Sequence, residues 1–423
     1  MLTIFEIAAL LLSLSALLGW FNLRFLRMPH TIGLLIMAMV SSLLLLGLEK
    51  LFPGLGITAT LTVTVSRIDF YSAIMNGILA FLLFAGALHI DLDLLKGQKW
   101  AIAVLASIGV IVSIAIAGFG IYGACLLLGF PMPLAWALLF GALISPTDPV
   151  AVLGLLKTVD IPSSIRAKIA GEALFNDGAA VVAFTFLLAL AVGSPEQAPG
   201  VMNEPWWHVA ALFVFEGAGA IVFGLVTGWL AYRAMASIDD PMIEIMITIG
   251  VCTATYALSM RLNVSGPIAV VAAGLLLGNH GAKHAMSEKV QDYLFSFWEV
   301  IDELLNSVLF LLIGLEVLVL SLDPAHISIV AAAVPIVLFA RLVSVTLPIS
   351  ALSILQSFSR GAIPILTWGG LRGGVSVALA LSLPESDAKP VVLAATYAVV
   401  VFSIIVQGLT VKWVIGKTVK EAA

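Results

Sequence analysis

The chain has 423 residues, 61% of them hydrophobic and 11% charged, with a mean hydropathy of +1.14 and a formal charge of -5. Such a composition excludes an ordinary soluble globular domain and makes the bilayer the solvent to reason with. It also offers no basic arm or aromatic-interleaved basic patch of the kind that binds nucleic acid.

Apolar runs of about 18 or more residues recur along the whole length, each long enough to cross a hydrocarbon core of about 30 Å as a helix. Read against Pro, Gly and charge punctuation, they give thirteen expected spans, near 4–22, 31–51, 69–90, 100–128, 133–156, 168–193, 207–232, 242–260, 265–279, 294–319, 327–350, 362–383 and 390–414. The expectation is an all-α polytopic membrane protein with short connectors and one transmembrane domain. The start, Met1 to Glu6, lacks the basic region and cleavage site of a signal peptide, so the first span is expected to remain. Lys and Arg in short loops are retained on the cytoplasmic side. One set of loops carries 14 of them, including Arg24, Lys96, Lys157, Arg233 and Lys283, and the other only Lys50, Arg67, Arg261 and Lys389. That asymmetry predicts an N-terminus outside and a C-terminus in the cytoplasm of a cell that carries the protein in its plasma or inner membrane.

Along the chain, span three ends on His89 beside Asp91 and Asp93, which reads first as the edge of the bilayer. Span five contains Ser145-Pro146-Thr147-Asp148-Pro149, where two prolines remove backbone donors in mid-membrane and a continuous helix is not expected. Irregular backbone at that depth belongs where it lines a watery cavity, so the break marks a candidate ion site. A simple proline kink is the plainer alternative. Span six carries Gly171-Glu172-Ala173-Leu174-Phe175-Asn176-Asp177-Gly178, and ionisable residues at lipid depth are functional candidates. Glu172 and Asn176 share a helix face, with Asp177 about 100° around from Asn176. A proton and a small hard cation can compete for one buried carboxylate, and that competition is enough for antiport when access alternates.

The isolated cysteines, Cys125 and Cys252, lie in apolar runs and suggest neither a disulfide nor a zinc site, and no cofactor is expected. Between spans nine and ten, His280, His284 and Glu288 are spaced by four; an ordinary cytoplasmic loop is the first reading, a pH-sensing role the next and metal binding the last. Span ten begins with Asp302, Glu303 and Asn306, which either line a cytoplasmic funnel that attracts cations or form a solvated helix start. Glu316 lies deeper in the same span. Span twelve carries Trp368-Gly369-Gly370-Leu371-Arg372-Gly373-Gly374-Val375, a glycine-rich second break seven spans after the first. An offset of seven reverses direction, as in inverted repeats matching spans one to six with eight to thirteen. Arg372 needs a permanent partner, and by depth Glu172 is the expected one, as a structural ion pair.

The motifs at 144–152, 171–178 and 369–376, the last ending on Ser376, lie on three separate spans and resemble the monovalent cation/proton antiporter family that includes the NhaP-like prokaryotic and the animal sodium/proton exchangers. The resemblance implies a homodimer in which each protomer has a dimerisation part and a moving six-helix core, including 133–193 and 362–414, with spans five and twelve crossing at the site. It implies that Asp177 binds the cation and the proton, that Asp148 is a second site carboxylate for Na+, that Thr147 offers its backbone carbonyl, and that Asn176 steadies the unwound crossing. Glu172 and Arg372 match the family's ion pair. An Asn-Asp pair, in contrast to the Asp-Asp pair of electrogenic relatives, implies electroneutral exchange of one cation for one H+. Two positions depart from the family: Ala173 and Ala85 supply no side-chain oxygen where relatives commonly have a Ser and a carboxylate. Na+, Li+ and K+ therefore all stay open as the cation.

A membrane-embedded aspartyl enzyme is the alternative of another class, but the chain has no Gly-x-Gly-Asp context. It also lacks a carbonyl filter segment of the kind a cation channel uses.

Overall fold

A computed structural model describes residues 4–52, 73–148, 161–192, 206–318, 326–354, 358 and 361–420. Among these residues the secondary structure is helical, with no strand. The second half of expected span five, from Pro149, the first residues of span three, and the Pro-Gly connectors at 53–54 and 199–200 lie outside the described residues.

In chain order the principal helices are α1 (Ile4–Phe21), α2 (His30–Leu51), α3 (Leu79–Leu88), α4 (Lys99–Leu127) and α5 (Leu134–Ile144). There follow α6 (Ser163–Val192), α7 (Trp206–Met235), α8 (Pro241–Arg261), α9 (Gly266–Leu276) and α10 (Glu288–Leu315). The last are α11 (Ile327–Leu352), the half-helices α12 (Ala362–Trp368) and α13 (Gly374–Leu381), and α14 (Lys389–Thr418). Eight helices among the described residues are long and apolar enough to cross a membrane, while α3 and α5 are shorter apolar helices. The chain is a multi-pass, all-helical membrane protein.

Helix starts follow the local chemistry. Asp240 caps α8 by accepting from the backbone N–H groups of Met242 and Ile243, both at 3.0 Å, with Pro241 at the first helical position. Asp91 caps a short helix, Leu92–Gly97, between α3 and α4 that hydropathy alone does not reveal. The α1–α2 turn is tied by the buried Asn22, whose side-chain amide donates to Met28 O at 2.9 Å and whose carbonyl accepts from Met28 N at 3.2 Å.

Packing uses small residues, since apolar surface alone gives no reason for helices to associate in lipid. Gly141 of α5 lies against the backbone of Ile114 in α4, and Gly224 of α7 against the backbone of Ala269 in α9; any side chain would separate either pair. Two buried apolar clusters result. The larger joins α1, α2, α4, α5, α6, α11 and the α12–α14 segment, and the smaller joins α7 and α8. Helices α3, α9 and α10 belong to both: Trp298 and Leu294 of α10 lie in the smaller cluster, and Leu309 to Ile313 lie in the larger. That shared seam positions the site.

Candidate functional site

Two interrupted helices meet in the interior. α5 stops at Ile144 and leaves Ser145 to Asp148 non-helical, while α12 stops at Trp368 and α13 resumes at Gly374. The unwound strands bind each other, with Asp148 N donating to Leu371 O at 2.8 Å. Breaking a helix orphans its last carbonyls, which must find donors when no water is near. Arg372 supplies them, donating through Nη1 to Ser145 O and, at 2.9 Å, to Pro146 O, while its own N–H donates to Ser403 Oγ at 3.0 Å. Gly373 permits the crossing because its α-carbon abuts the Asp148 carboxyl, and a Cβ there would overlap it.

The pairing expected for Glu172 is corrected by this geometry. Glu172 is held by Arg341 of α11, with Nη1 on Oε1 and Nη2 on Oε2 at 3.0 Å, and Nη2 also donates to Leu366 O at 2.9 Å. Arg372 is occupied with carbonyls at the crossing, so the fork that fits a carboxylate comes from the other buried arginine. Arg341 falls within the expected span 327–350 and Arg372 within 362–383, and depth alone does not rank them.

Four residues beyond Glu172 on α6, Asn176 donates through Nδ2 to Thr147 Oγ1 at 2.7 Å and accepts from Thr147 N at 3.4 Å, which ties α6 to the unwound end of α5. Asp177 is buried, and among the described residues no donor reaches it. It faces a cavity of about 190 Å³ whose wall also includes Thr147, Asp148, Asp302, Asn306 and Ser376. The structure thus brings Asp177, Asp148 and Thr147 together, with α3 and α10 forming the opposite wall.

Of the funnel candidates on α10, Asp302 and Asn306 line the cavity and Glu303 does not; it is exposed, one residue around the helix. Glu299 takes its place in the wall, three residues before Asp302 and seven before Asn306. Spacing could have found Glu299, whereas Ser376 was part of the span-twelve motif, 369–376, without being assigned to the site. His89, read as a span end, lines both this cavity and a second of about 470 Å³ that includes Asp91, Lys283 and Glu288. Its Nδ1 lies 2.7 Å from Ala85 O.

His280 and His284 are elsewhere. Their rings pack together with centroids 4.4 Å apart, and His280 also meets Tyr232. The helical turn ends at His284 and Ser287 caps a new helix, so Glu288 is not on their face. No group of three potential metal ligands occurs among the described residues. On the same side, Asp93 binds Lys96 at 2.9 Å and Lys283 at 3.0 Å. Those hydrogen bonds, Lys96 first, hold the Asp93 carboxyl below its ordinary range, and Asp93 in turn raises the Lys283 ammonium.

A family profile described as the transmembrane region of sodium/hydrogen exchangers matches residues 12–417. The chain is similar to a protein of Pseudomonas aeruginosa named Na(+)/H(+) antiporter NhaP, with 44% identity over 412 residues that cover 96% of this chain and 95% of the relative. A Halobacillus dabanensis protein named Na(+)/H(+) antiporter NhaH is 34% identical over 400 residues, 93% of each chain. Among solved structures, the sodium proton antiporter MjNhaP1 of Methanocaldococcus jannaschii at pH 8 has a TM-score of 0.73 at 19% identity, covering 97% of both chains, and so shares the fold.

Proposed function

The chain belongs to the family of transmembrane sodium/hydrogen exchangers, and from that premise we propose that it exchanges Na+ for H+ across the cell membrane, one for one. The family is one of transporters, which leaves the membrane-embedded aspartyl enzyme without support. The observation that carries the reading is the buried Asp177, which lacks a protein partner among the described residues and faces a cavity together with Asp148.

The charges around it favour the stoichiometry. Glu172, Asp148 and Asp177 carry three negative charges and Arg341 and Arg372 two positive ones, so the set lacks one positive charge. One proton or one monovalent cation neutralises it, and never both together. An empty, charged site is costly to move through a low-dielectric barrier, so the core exchanges sides only when loaded. This couples the two fluxes without net charge movement. In this scheme Asn176 fixes the unwound end of α5 against α6, Arg372 secures the crossing, and the Thr147 carbonyl joins the two carboxylates as a cation ligand.

The alternating element is the core that includes 133–193 and 362–414, moving against the helices that contribute to a homodimer. Its apolar seam with α3 and α10, where the cavity lies, supports that division. The loop charges support thirteen crossings with the N-terminus outside and the C-terminus in the cytoplasm.

Reconstitution into proteoliposomes with an imposed pH gradient tests the reading. Addition of Na+ should move protons, Asp177→Asn should not, and a clamped membrane voltage should leave the rate unchanged. Undiminished exchange by Asp177→Asn would falsify the site, and voltage-dependent turnover with net charge movement would overturn the one-for-one count. Li+ and K+ in parallel set the selectivity.

A further inference from the structure

Two polar side chains in the cavity wall are left over by every interaction described so far. Ser376, in the first turn of α13, is 0% exposed, and its hydroxyl finds no partner; Asn306 of α10 is 1% exposed, and its Oδ1 finds none either. Both line the cavity that holds Asp148 and Asp177. The orientation of Asn306 is determined by chemistry: Nδ2 donates to Asp302 O at 2.7 Å and to Asp302 Oδ1 at 3.2 Å, and only the amide nitrogen can serve two acceptors. The carbonyl oxygen is therefore the end that is spare. Ser376 lies in the first turn of α13, with no helical turn before it whose carbonyls its hydroxyl could bond.

We propose that Ser376 Oγ and Asn306 Oδ1 are neutral oxygen ligands of the transported cation, supplying coordination at a site where Ala85 and Ala173 carry no side-chain oxygen. The inference rests on the transport reading of the cavity and adds the ligands that complete it. A hard monovalent cation needs several oxygens, and two carboxylates with one carbonyl leave its shell short. Buried acceptors without donors are expensive to keep, and these two differ from the other unpartnered polar atoms of the interior in lining the cavity that holds Asp148 and Asp177, which points to an occupant. Both atoms are shut from bulk solvent, so they reward an ion that has shed its water and not a hydrated one. Being neutral, they add affinity without changing the charge count, which keeps the exchange at one for one. Asn306 also lies one turn beyond Asp302, where an ion that has passed the acidic side chains Glu299 and Asp302 would next arrive.

Full-length protein in proteoliposomes provides the test, with Na+-dependent proton flux measured for the unaltered chain, Ser376→Ala, Asn306→Ala and Ser376→Thr. Loss of one neutral oxygen ligand should raise the KM for Na+ by about threefold to tenfold while leaving the maximal rate within about twofold. Ser376→Thr keeps the hydroxyl and should keep the KM. Thermal stabilisation by Na+ should weaken in step in the two alanine variants. An unchanged KM in Ser376→Ala, or a fall in maximal rate at constant KM, overturns the assignment and leaves the exchange reading standing. Absence of Na+-dependent flux in the unaltered chain overturns both. If Asn306→Ala does not fold, Ser376→Ala decides alone, because removing a buried hydroxyl leaves the packing volume almost intact.

Discussion

Glu172 and Asp177 are two buried carboxylates on one helix, five residues apart, 3% and 4% exposed. Around Glu172 every demand of the charge is met: both oxygens accept from the Arg341 fork, which Leu366 O further anchors. Around Asp177 none is met among the described residues, and a cavity takes the place of a partner. The energetic meaning differs accordingly. A buried pair locks its helices because breaking it strands a charge, whereas a buried carboxylate facing an open volume keeps its counter-charge exchangeable. Burial alone therefore does not identify a transport residue; burial without a fixed donor does.

The largest test of that contrast is Asp177→Asn. The substitution is isosteric and removes the charge, so Na+-driven proton flux should fall by about two orders of magnitude or more, equivalent to about 3 kcal/mol of lost charge-assisted binding. The melting temperature should hold or rise, as a partnerless buried carboxylate costs stability. A variant that transports normally, or one that melts well below the parent, would erase the distinction between the two carboxylates.

Next in size is the opposite experiment. Glu172→Gln leaves the Arg341 guanidinium buried without its counter-charge, and breaking such a pair costs about 3–5 kcal/mol. Thermal unfolding in detergent should show the loss, and activity should follow stability rather than Na+ affinity. Replacing both partners with apolar residues, Glu172→Leu with Arg341→Met, should restore much of the melting temperature. A double variant no better than the single one would mean that Arg341 is not the charge that Glu172 satisfies.

The contrast also explains what could be read from the chain beforehand. The two broken helices were legible because Pro146, Pro149 and the glycines at 369, 370, 373 and 374 act locally on the backbone. Asp177 was legible because a charge in an apolar run is rare. The partner of Glu172 was not legible: two arginines stand at similar depth, and the choice depends on which one the orphaned carbonyls of Ser145 and Pro146 have engaged, a tertiary fact. Ser376 was legible only as the end of the span-twelve motif, and its spare hydroxyl was not, since the lack of a partner is again a tertiary fact. Glu299 lay within reach, as it shares a helix face with Asp302 and Asn306. The short Leu92–Gly97 helix did too, through the cap at Asp91.

Smaller in expected effect than either carboxylate variant is Gly373→Ala. An added Cβ would overlap the Asp148 carboxyl, so either the crossing or the carboxylate must shift. Overpacking of this kind costs about 1–3 kcal/mol. If Asp148 serves the cation, Na+ KM should rise by more than the stability loss explains, and Na+-dependent thermal stabilisation should shrink. Unchanged Na+ affinity in a folded variant would remove Asp148 from the transport side of the comparison.

The smallest expected effect comes from a carboxylate that is paired but not buried. Asp93 holds Lys96 and Lys283 with 62% of its side chain exposed, and Lys283 is equally exposed. Its folded-state pKa lies below the ordinary 3.8, so its stabilising contribution is full above that value and is lost as pH falls through the lower folded one. Lys283 has the mirror-image behaviour: raised from 10.5, it contributes below that value and stops contributing as pH rises through the folded one. Between about pH 5 and 9 neither group changes charge, so Asp93→Asn should lower the melting temperature by a constant, small amount, about 1 °C or less. Salt near 1 M, where the screening length is about 3 Å, should abolish even that difference. The pH dependence of exchange in this window should be unaltered by the substitution. If Asp93→Asn moved the pH profile of transport, the cytoplasmic rim would belong with Asp177 and not with the structural charges. The division would then depend on position along the ion path, with satisfaction of the carboxylate no longer the criterion.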